Sequence, residues 1–307
     1  MKKGIYLITG CAGFIGSNLV EKIYKKHKLI LVDDLSSGSK NALPKELRKK
    51  LIKKKIQDIK QFGVKKIDGI FHLAAQSSVP LSLKNFHNSS ANNIESSLKI
   101  FEISKKFKAP IVYASSSAVY GNLPAGSDKL NKFSIKSPYA QDKLTIENYA
   151  KMSFEVFKTS SVGLRLFNVY GPGQKFSSSY GAVIPIFISR MLRNKSVVIN
   201  GGFQTRDFIY VEDVIEIFLK TMEKIQKQKN YRIFNLGTGL SVSINSLYHL
   251  IKENIGANSK VIRKKLDKFD PKKSCGSNKN IIKFLKLKKY NFTKLENGLE
   301  MTINYFL

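Results

Sequence analysis

Cysteine is almost absent from this chain of 307 residues: there are two, Cys11 and Cys275, far apart in the sequence. That excludes a disulfide framework and a cysteine-built zinc site, and it suits a reducing cytoplasm. No metal site is expected. Acidic residues are also scarce, 22 against 53 basic ones, for a formal net charge of +31. No window approaches the roughly 18 to 20 unbroken apolar residues that a membrane helix needs. The opening MKKGIYLITG pairs a charged start with an apolar run, the outline of a secretion signal. The run is too short, and glycines follow it; it is expected to be a strand of a cytoplasmic protein. Repeats of fixed period and low-complexity linkers are lacking too.

What is present is a globular composition, 42% hydrophobic and 24% charged. The length suits two domains or one large one. Only seven of the 53 basic residues are arginine, which leaves 46 lysines. Nucleic-acid readers favour arginine, whose planar fork matches phosphate and guanine. The lysines are scattered along the chain, and isoleucine and asparagine are plentiful as well. This skew resembles the codon usage of an AT-rich genome and reads as a solvated lysine surface, to which an anionic substrate would be drawn.

Apolar runs at 5–9, 29–32, 69–73, 111–114 and 162–167 alternate with helical patterns such as 17–25, 94–107 and 137–157. Continuous apolar strands separated by helices predict an α/β fold with a doubly wound parallel sheet covered on both faces. After residue 170 the order loosens, and proline, glycine and serine cluster at 171–181. The expected division is a dinucleotide-binding Rossmann domain over 1–170, with one strand near 232–236 returning to its sheet. The remainder, 171–307, is expected to be a smaller α/β region that binds substrate.

The first chemical motif is Gly10-Cys11-Ala12-Gly13-Phe14-Ile15-Gly16, set between a strand and a helix. Such glycines allow a tight turn and close approach to a pyrophosphate, which the helix N-terminus also attracts. The second strand ends in Asp33-Asp34, where a carboxylate can accept both hydroxyls of an adenosine ribose and would repel a 2′-phosphate. The spacing therefore favours NAD over NADP. The second motif is Tyr139-Ala140-Gln141-Asp142-Lys143, whose Tyr and Lys share one helical face. By itself it is most often a surface pair. A nearby ammonium, however, favours a phenolate and should lower the Tyr139 pKa from its ordinary value near ~10, making it a usable base. Upstream, Ser115-Ser116-Ser117 precede Ala118-Val119-Tyr120-Gly121 at a strand end, where a hydroxyl can bridge Tyr139 and a substrate oxygen.

These motifs, in order, resemble an extended short-chain dehydrogenase/reductase of the NAD-dependent sugar-nucleotide epimerase/dehydratase group. Further stretches carry the likeness: Asp58-Ile59, Phe71-His72-Leu73-Ala74-Ala75-Gln76, Asn92, Arg165–Gln174, Thr205-Arg206-Asp207-Phe208-Ile209-Tyr210 and 234–239. The resemblance covers nearly the whole chain and is nearest to UDP-hexose and UDP-N-acetylhexosamine 4-epimerases. It implies that NAD meets Gly10, Gly13, Phe14 and Ile15, then Asp33, Asp34, Ser36, Ser37 and Gly38. Asp58, Ile59, Leu73, Ala74, Ala75 and Gln76 would follow, with Asn92, Ser115, Leu166, Tyr139 and Lys143. It makes Ser116, Tyr139 and Lys143 the catalytic groups. It assigns the UDP-sugar to Ser78, Ser116, Ser117 and Tyr139, to Asn168, Tyr170, Ala182, Val183 and Ile199, and to Arg206, Lys272 and Ser274. Arg206-Asp207 has a plainer reading as a local salt bridge.

The resemblance also separates reactions. Related 4,6-dehydratases carry an Asp-Glu pair just before Val-Tyr-Gly, to eliminate water. Here those positions are Ser117 and Ala118, and UDP-glucuronate decarboxylases, with a Glu at the second, fit no better. Reversible oxidation at C4 remains. The family's diphosphate motif Arg-x-Gly-Asp is not matched in Leu266-Asp267-Lys268-Phe269-Asp270-Pro271-Lys272-Lys273-Ser274, where Lys268 or Lys272 would have to supply the charge. The small Ser274 falls at the gatekeeper position, and Ala182-Val183-Ile184-Pro185 resembles N-acetylhexosamine epimerases. The expected pair is UDP-GlcNAc and UDP-GalNAc. UDP-glucose or UDP-glucuronate 4-epimerisation stays open, as does an RNA-binding relative of the same fold. A homodimer is expected through helices 94–107 and 137–157, using Ile94, Leu98, Phe101, Leu144 and Tyr149.

Overall fold

The computed structural model describes residues 3–123, 128, 132–175, 182–266, 270–288 and 290–307. Lys268 and Gly181 lie outside the described residues. The chain forms two compact units, each drawn from separate stretches of sequence.

The first unit comprises Met1–Ser116, Ser137–Arg165 and Ile215–Phe234. Its centre is a seven-stranded sheet of β1 (Ile5–Thr9), β2 (Lys28–Val32), β3 (Leu51–Ile52), β4 (Gly69–His72), β5 (Ile111–Ser116), β6 (Ser161–Leu166) and β11 (Tyr231–Leu236), in the order β11-β6-β5-β4-β1-β2-β3. The pairings β1–β2, β1–β4, β4–β5 and β2–β3 are all parallel. This is the α/β doubly wound class read from the alternation of strands and helices. Strand β6 is buried at all six positions, as a strand covered on both faces must be. Around the sheet lie α1 (Phe14–Ile23), α2 (Val79–Lys84), α3 (Phe86–Phe107) and α4 (Pro138–Phe157). Helix α1 begins at Phe14, three residues before its predicted start, because Gly13 takes the extended N-cap conformation.

Helix α4 has a well-defined start. Ser137 Oγ accepts the Ala140 N–H at 3.2 Å, and Pro138 occupies the first turn, where its missing N–H costs nothing. Tyr139 and Lys143 are thereby set one turn apart at the beginning of a rigid 20-residue helix. Of the apolar residues expected to face a second copy, Ile94 and Phe101 instead pack on the unit's own core. Leu98 and Tyr149 remain exposed.

The second unit comprises Ser117–Lys136, Leu166–Val214 and Asn235–Leu307. Its elements are β7 (Asn168–Tyr170), α5 (Val183–Leu192), β8 (Val197–Asn200), β9 (Thr205–Arg206), β10 (Phe208–Tyr210), β12 (Val242–Ser243), α7 (Ile244–Ile255), β13 (Val261–Lys264), β14 (Lys273–Ser274), α8 (Lys279–Leu285) and α9 (Leu295–Phe306). Helix α6 (Val211–Lys227) starts in this unit and continues in the first. Three small sheets result: β10–β7, β13–β8 and β12–β9–β14. Strand β11 joins the first unit's sheet where a returning strand near 232–236 is expected, while most of α6 also belongs to the first unit and Ser117–Lys136 to the second.

Candidate active site

The first unit presents its chemistry at the carboxyl ends of the strands, where ligands bind in open α/β sheets. Gly10 follows β1 with φ +68°, and a Cβ there would lie 2.6 Å from the Ala74 nitrogen. A Cβ on Gly16 would stand 2.0 Å from the Gly10 carbonyl oxygen. Only glycine permits this turn, and no side chain caps the start of α1. The result is a cradle of open main-chain N–H groups that a pyrophosphate fits. Asp33, at the end of β2, accepts the Ala12 N–H at 2.8 Å and the Leu35 N–H at 2.9 Å. A carboxylate at this strand end is of the type that accepts ribose hydroxyls. Asp34 holds Ser36 through its N–H at 2.9 Å and its hydroxyl at 2.6 Å. Gly38 lies against Ala12, so these loops form one surface.

The catalytic group expected from the sequence is assembled. Tyr139 hydrogen-bonds to Ser116, and both are buried. Lys143 Nζ lies 5.7 Å from the centre of the Tyr139 ring and donates to the Ala114 carbonyl at 2.7 Å. Burial pulls the Lys143 pKa down to about 8, against the pull of Asp142 and Glu147. The expectation that Tyr139 has a lowered pKa is corrected: burial raises it and outweighs the Ser116 hydrogen bond. The Lys143 ammonium spends a hydrogen bond on the Ala114 carbonyl.

Behind these groups stand three arrangements that sequence reading missed. His72 bridges Thr9 Oγ1 at 2.7 Å through Nδ1 and Ser97 Oγ at 3.0 Å through Nε2. Ser97 spends its own proton on the Asn93 carbonyl, so Nε2 carries the imidazole proton and Nδ1 accepts from Thr9. Burial holds the His72 pKa down to about 3, with Lys143 adding to the effect. Asn93 accepts the Gln76 N–H at 2.8 Å and donates to Asp142 at 2.9 Å, which ties the loop after β4 to α4. Glu147 takes a two-pronged bond from Arg165, at 2.8 and 2.6 Å, and the Ser115 hydroxyl at 2.5 Å. An arginine inside an all-buried strand demands such a partner, and that was the available signal.

Other expected cofactor contacts are placed less favourably. Ile59 is buried in the first unit's apolar cluster, and its N–H is donated to the Ile56 carbonyl at 3.2 Å. Asp58 is exposed, Leu166 is buried, and Leu73, Ala74, Ala75 and Asn92 are half-buried.

The second unit holds the residues expected to bind substrate. Arg206, on β9, donates to the carbonyls of Thr205 and Pro271 at 2.8 Å each and pairs with Asp270. The plainer Arg206–Asp207 salt bridge does not form. Asp207 is fully buried and accepts the Thr238 N–H at 2.8 Å, its hydroxyl at 2.7 Å and the Gly239 N–H at 3.0 Å. In the parallel β9–β14 ladder Ser274 is the register partner of Arg206, so the gatekeeper candidate and the arginine share one small sheet. Lys272 is exposed, and Ala182 is the exposed N-cap of α5 before Val183. Asn168 opens β7 opposite Phe208. Ile199 and Tyr170, also expected at the substrate, have their side chains in the second apolar cluster. The Tyr170 ring packs edge-on against Phe208 and Tyr210, at 6.4 and 5.7 Å between centroids.

Comparison with known proteins follows the same lines. The chain is 35% identical to UDP-N-acetylglucosamine 4-epimerase from Methanobrevibacter ruminantium, solved in complex with UDP-N-acetylmuramic acid. The TM-score is 0.91, over 100% of this chain and 99% of that one. UDP-glucose 4-epimerase from Thermotoga maritima, solved with UDP-glucose, is 32% identical with a TM-score of 0.90 over 98% of both chains. UDP-glucose 4-epimerase from Thermus thermophilus, solved with NAD, is 26% identical with a TM-score of 0.85 over 98% of both. Residues 6–237 match the NAD dependent epimerase/dehydratase family, and with its glycine turn, the aspartate that ends β2, and Ser116, Tyr139 and Lys143 in place the chain belongs to that family, with NAD as its cofactor.

Proposed function

We propose that the protein interconverts C4 epimers of a UDP-hexose, with UDP-GlcNAc and UDP-GalNAc as its pair. NAD, when bound in the glycine cradle, supplies the acceptor and then the donor of the C4 hydride. Tyr139 takes the C4 hydroxyl proton as oxidation proceeds and returns it when the 4-keto sugar is reduced on its other face. Ser116, bonded to Tyr139, relays to the same oxygen. Lys143 places a cation beside the developing phenolate. Proton and hydride both leave and both return, so the reaction is redox-neutral.

Arg206 is suited to a diphosphate by its planar fork, and its present partner is an oxyanion of similar demand, the Asp270 carboxylate. Asn168 and Val183 would complete the nucleotide side. The small Ser274 beside Arg206 supports room for a 2-N-acetyl group. The observation that carries the reading is the Ser116–Tyr139 bond beside a buried Lys143, in a chain with Ser117 and Ala118 where elimination needs two acids.

Incubating the purified protein separately with UDP-GlcNAc and UDP-glucose, and resolving the products by NMR, tests it. The C4 epimer of the acetylated sugar should appear without loss of water. A dehydrated product, or inertness toward both, would overturn the reaction; turnover of UDP-glucose alone would overturn the acetylated substrate.

We also propose that the protein works as a homodimer. Tyr149, Met152 and Val156 are exposed at i, i+3 and i+7 of α4, and Leu98 is exposed on the adjoining α3. Such a contiguous apolar face fits a matching helix pair from a second copy.

A further inference from the structure

The first unit has a second cavity, of about 770 Å³, on the edge of the sheet opposite the glycine cradle. Its walls are the segments that lead into β1, β4, β5 and β6 and the last turns of α3, α4 and α6. Nine of its 22 lining residues are lysine, against 46 of 307 in the whole chain. Charges that look scattered along the sequence are therefore gathered here in space.

Lys105, Lys106 and Lys108 come from the end of α3, Lys158 from the end of α4, and Lys227 and Lys229 from the end of α6. Lys3, Lys65 and Lys66 precede β1 and β4. The only carboxylates in the lining are Asp68 and Glu223, which pair with Lys66 at 2.7 Å and Lys227 at 3.0 Å. Nine positive charges against two negative leave a surplus of seven. Lysines at helix C-termini do answer the helix dipole, but each end is worth only about half a charge. Three ends offset roughly one and a half of the seven. Lys3, Lys65, Lys108 and Lys229 make no ion pair among the described residues.

A second observation lies in the wall of the same cavity. Thr159 lines it and is only 5% exposed, yet its hydroxyl oxygen has no hydrogen-bond partner. A buried hydroxyl left unpaired costs free energy, and an oxyanion would accept its proton. Phe107, Ile67 and Ile225 give the remaining wall an apolar character, and the volume is that of a small-molecule site.

We propose that this cavity binds a small oligophosphate, at a site separate from that of the UDP-sugar. The shared chemistry is a chain of phosphate oxyanions, met by the unpaired lysines and by the Thr159 hydroxyl. The source is either inorganic polyphosphate or a nucleotide.

Calorimetric titration of tripolyphosphate into the protein, with NAD and excess UDP present, tests the proposal. It should show saturable binding at one site per chain. The double variant Lys108→Glu/Lys229→Glu should weaken that binding by at least about tenfold, and Thr159→Val should weaken it measurably. A control pair, Lys49→Glu/Lys50→Glu, lies outside the cavity and should change it by less than about twofold. Thermal melting of each variant reports whether it is folded. ATP titrated in the same way identifies the source: tighter binding than tripolyphosphate assigns a nucleotide, and equal binding assigns the phosphate chain alone, both in line with the proposal. No saturable binding, equal weakening by the control pair, or binding of an RNA oligonucleotide without binding of tripolyphosphate would each overturn it. None of these readouts depends on epimerase turnover, so the two proposals fail separately.

Discussion

As the proposed base, Tyr139 starts at a disadvantage, because burial raises its pKa. Its value to the reaction lies in position, and removing the hydroxyl should show it. Tyr139→Phe is expected to lower turnover by about 10² to 10⁴ while NAD stays bound, measured by initial rates and cofactor content; near-full activity would refute its role. Lys143 makes a pH prediction. Its pKa falls from 10.5 to about 8 on folding, so between those values the unfolded chain holds a proton that the folded chain has released. Stability from this residue must then rise with pH across that window, by roughly 3 kcal/mol in all. Urea unfolding of the NAD-free protein at pH 7.5 and 10 should show the gain relative to Lys143→Met, in which it should vanish. The proposed catalytic residues were legible through the family resemblance, since the Tyr-Lys spacing alone is most often a surface pair and Ser116 was picked out only by counting back from Val-Tyr-Gly. His72 with Thr9 and Ser97, and Glu147 with Arg165, were not. Their partners are distant in sequence, and nothing in a single chain names which buried polar group meets which.

Strands of five or six residues announced themselves as apolar runs, and β1, β2, β5 and β6 form within a residue or two of where those runs lie. The two-residue strands β9, β12 and β14 carry no period at all and exist only because their main chains find one another. Yet β14 is what brings Ser274 beside Arg206. If that ladder gates the hexose pocket, Ser274→Tyr should suppress UDP-GlcNAc turnover and leave UDP-glucose turnover largely intact, compared by kcat/KM. Equal loss of both, or of neither, would remove Ser274 from substrate selection. That the Tyr170 and Ile199 side chains face the apolar cluster was not legible, for a related reason. Along a short strand the alternate side chains face opposite ways, and which face meets the core is settled by what packs there.

At the scale of the molecule, the apolar stripe on α4 makes a prediction of assembly. Light scattering at micromolar concentration should report twice the chain mass, and Val156→Glu should bring it to one. A monomeric parent protein would exclude the homodimer. Net charge was legible as a number, but its concentration against three helix ends was not, since the lysines of the basic cavity come from five separate stretches of chain. The discontinuous make-up of the first unit bears on how the protein is made. Strand β6 is complete at Leu166, but its neighbour β11 ends only at Leu236. At about 5–20 residues per second, a ribosome needs some 4 to 14 seconds to cover that interval. Throughout it a strand that the finished fold buries at every position waits with one edge unpaired, open to any other extended chain, so the nascent protein has a period of aggregation risk, and of demand on chaperones, that ends when β11 is delivered.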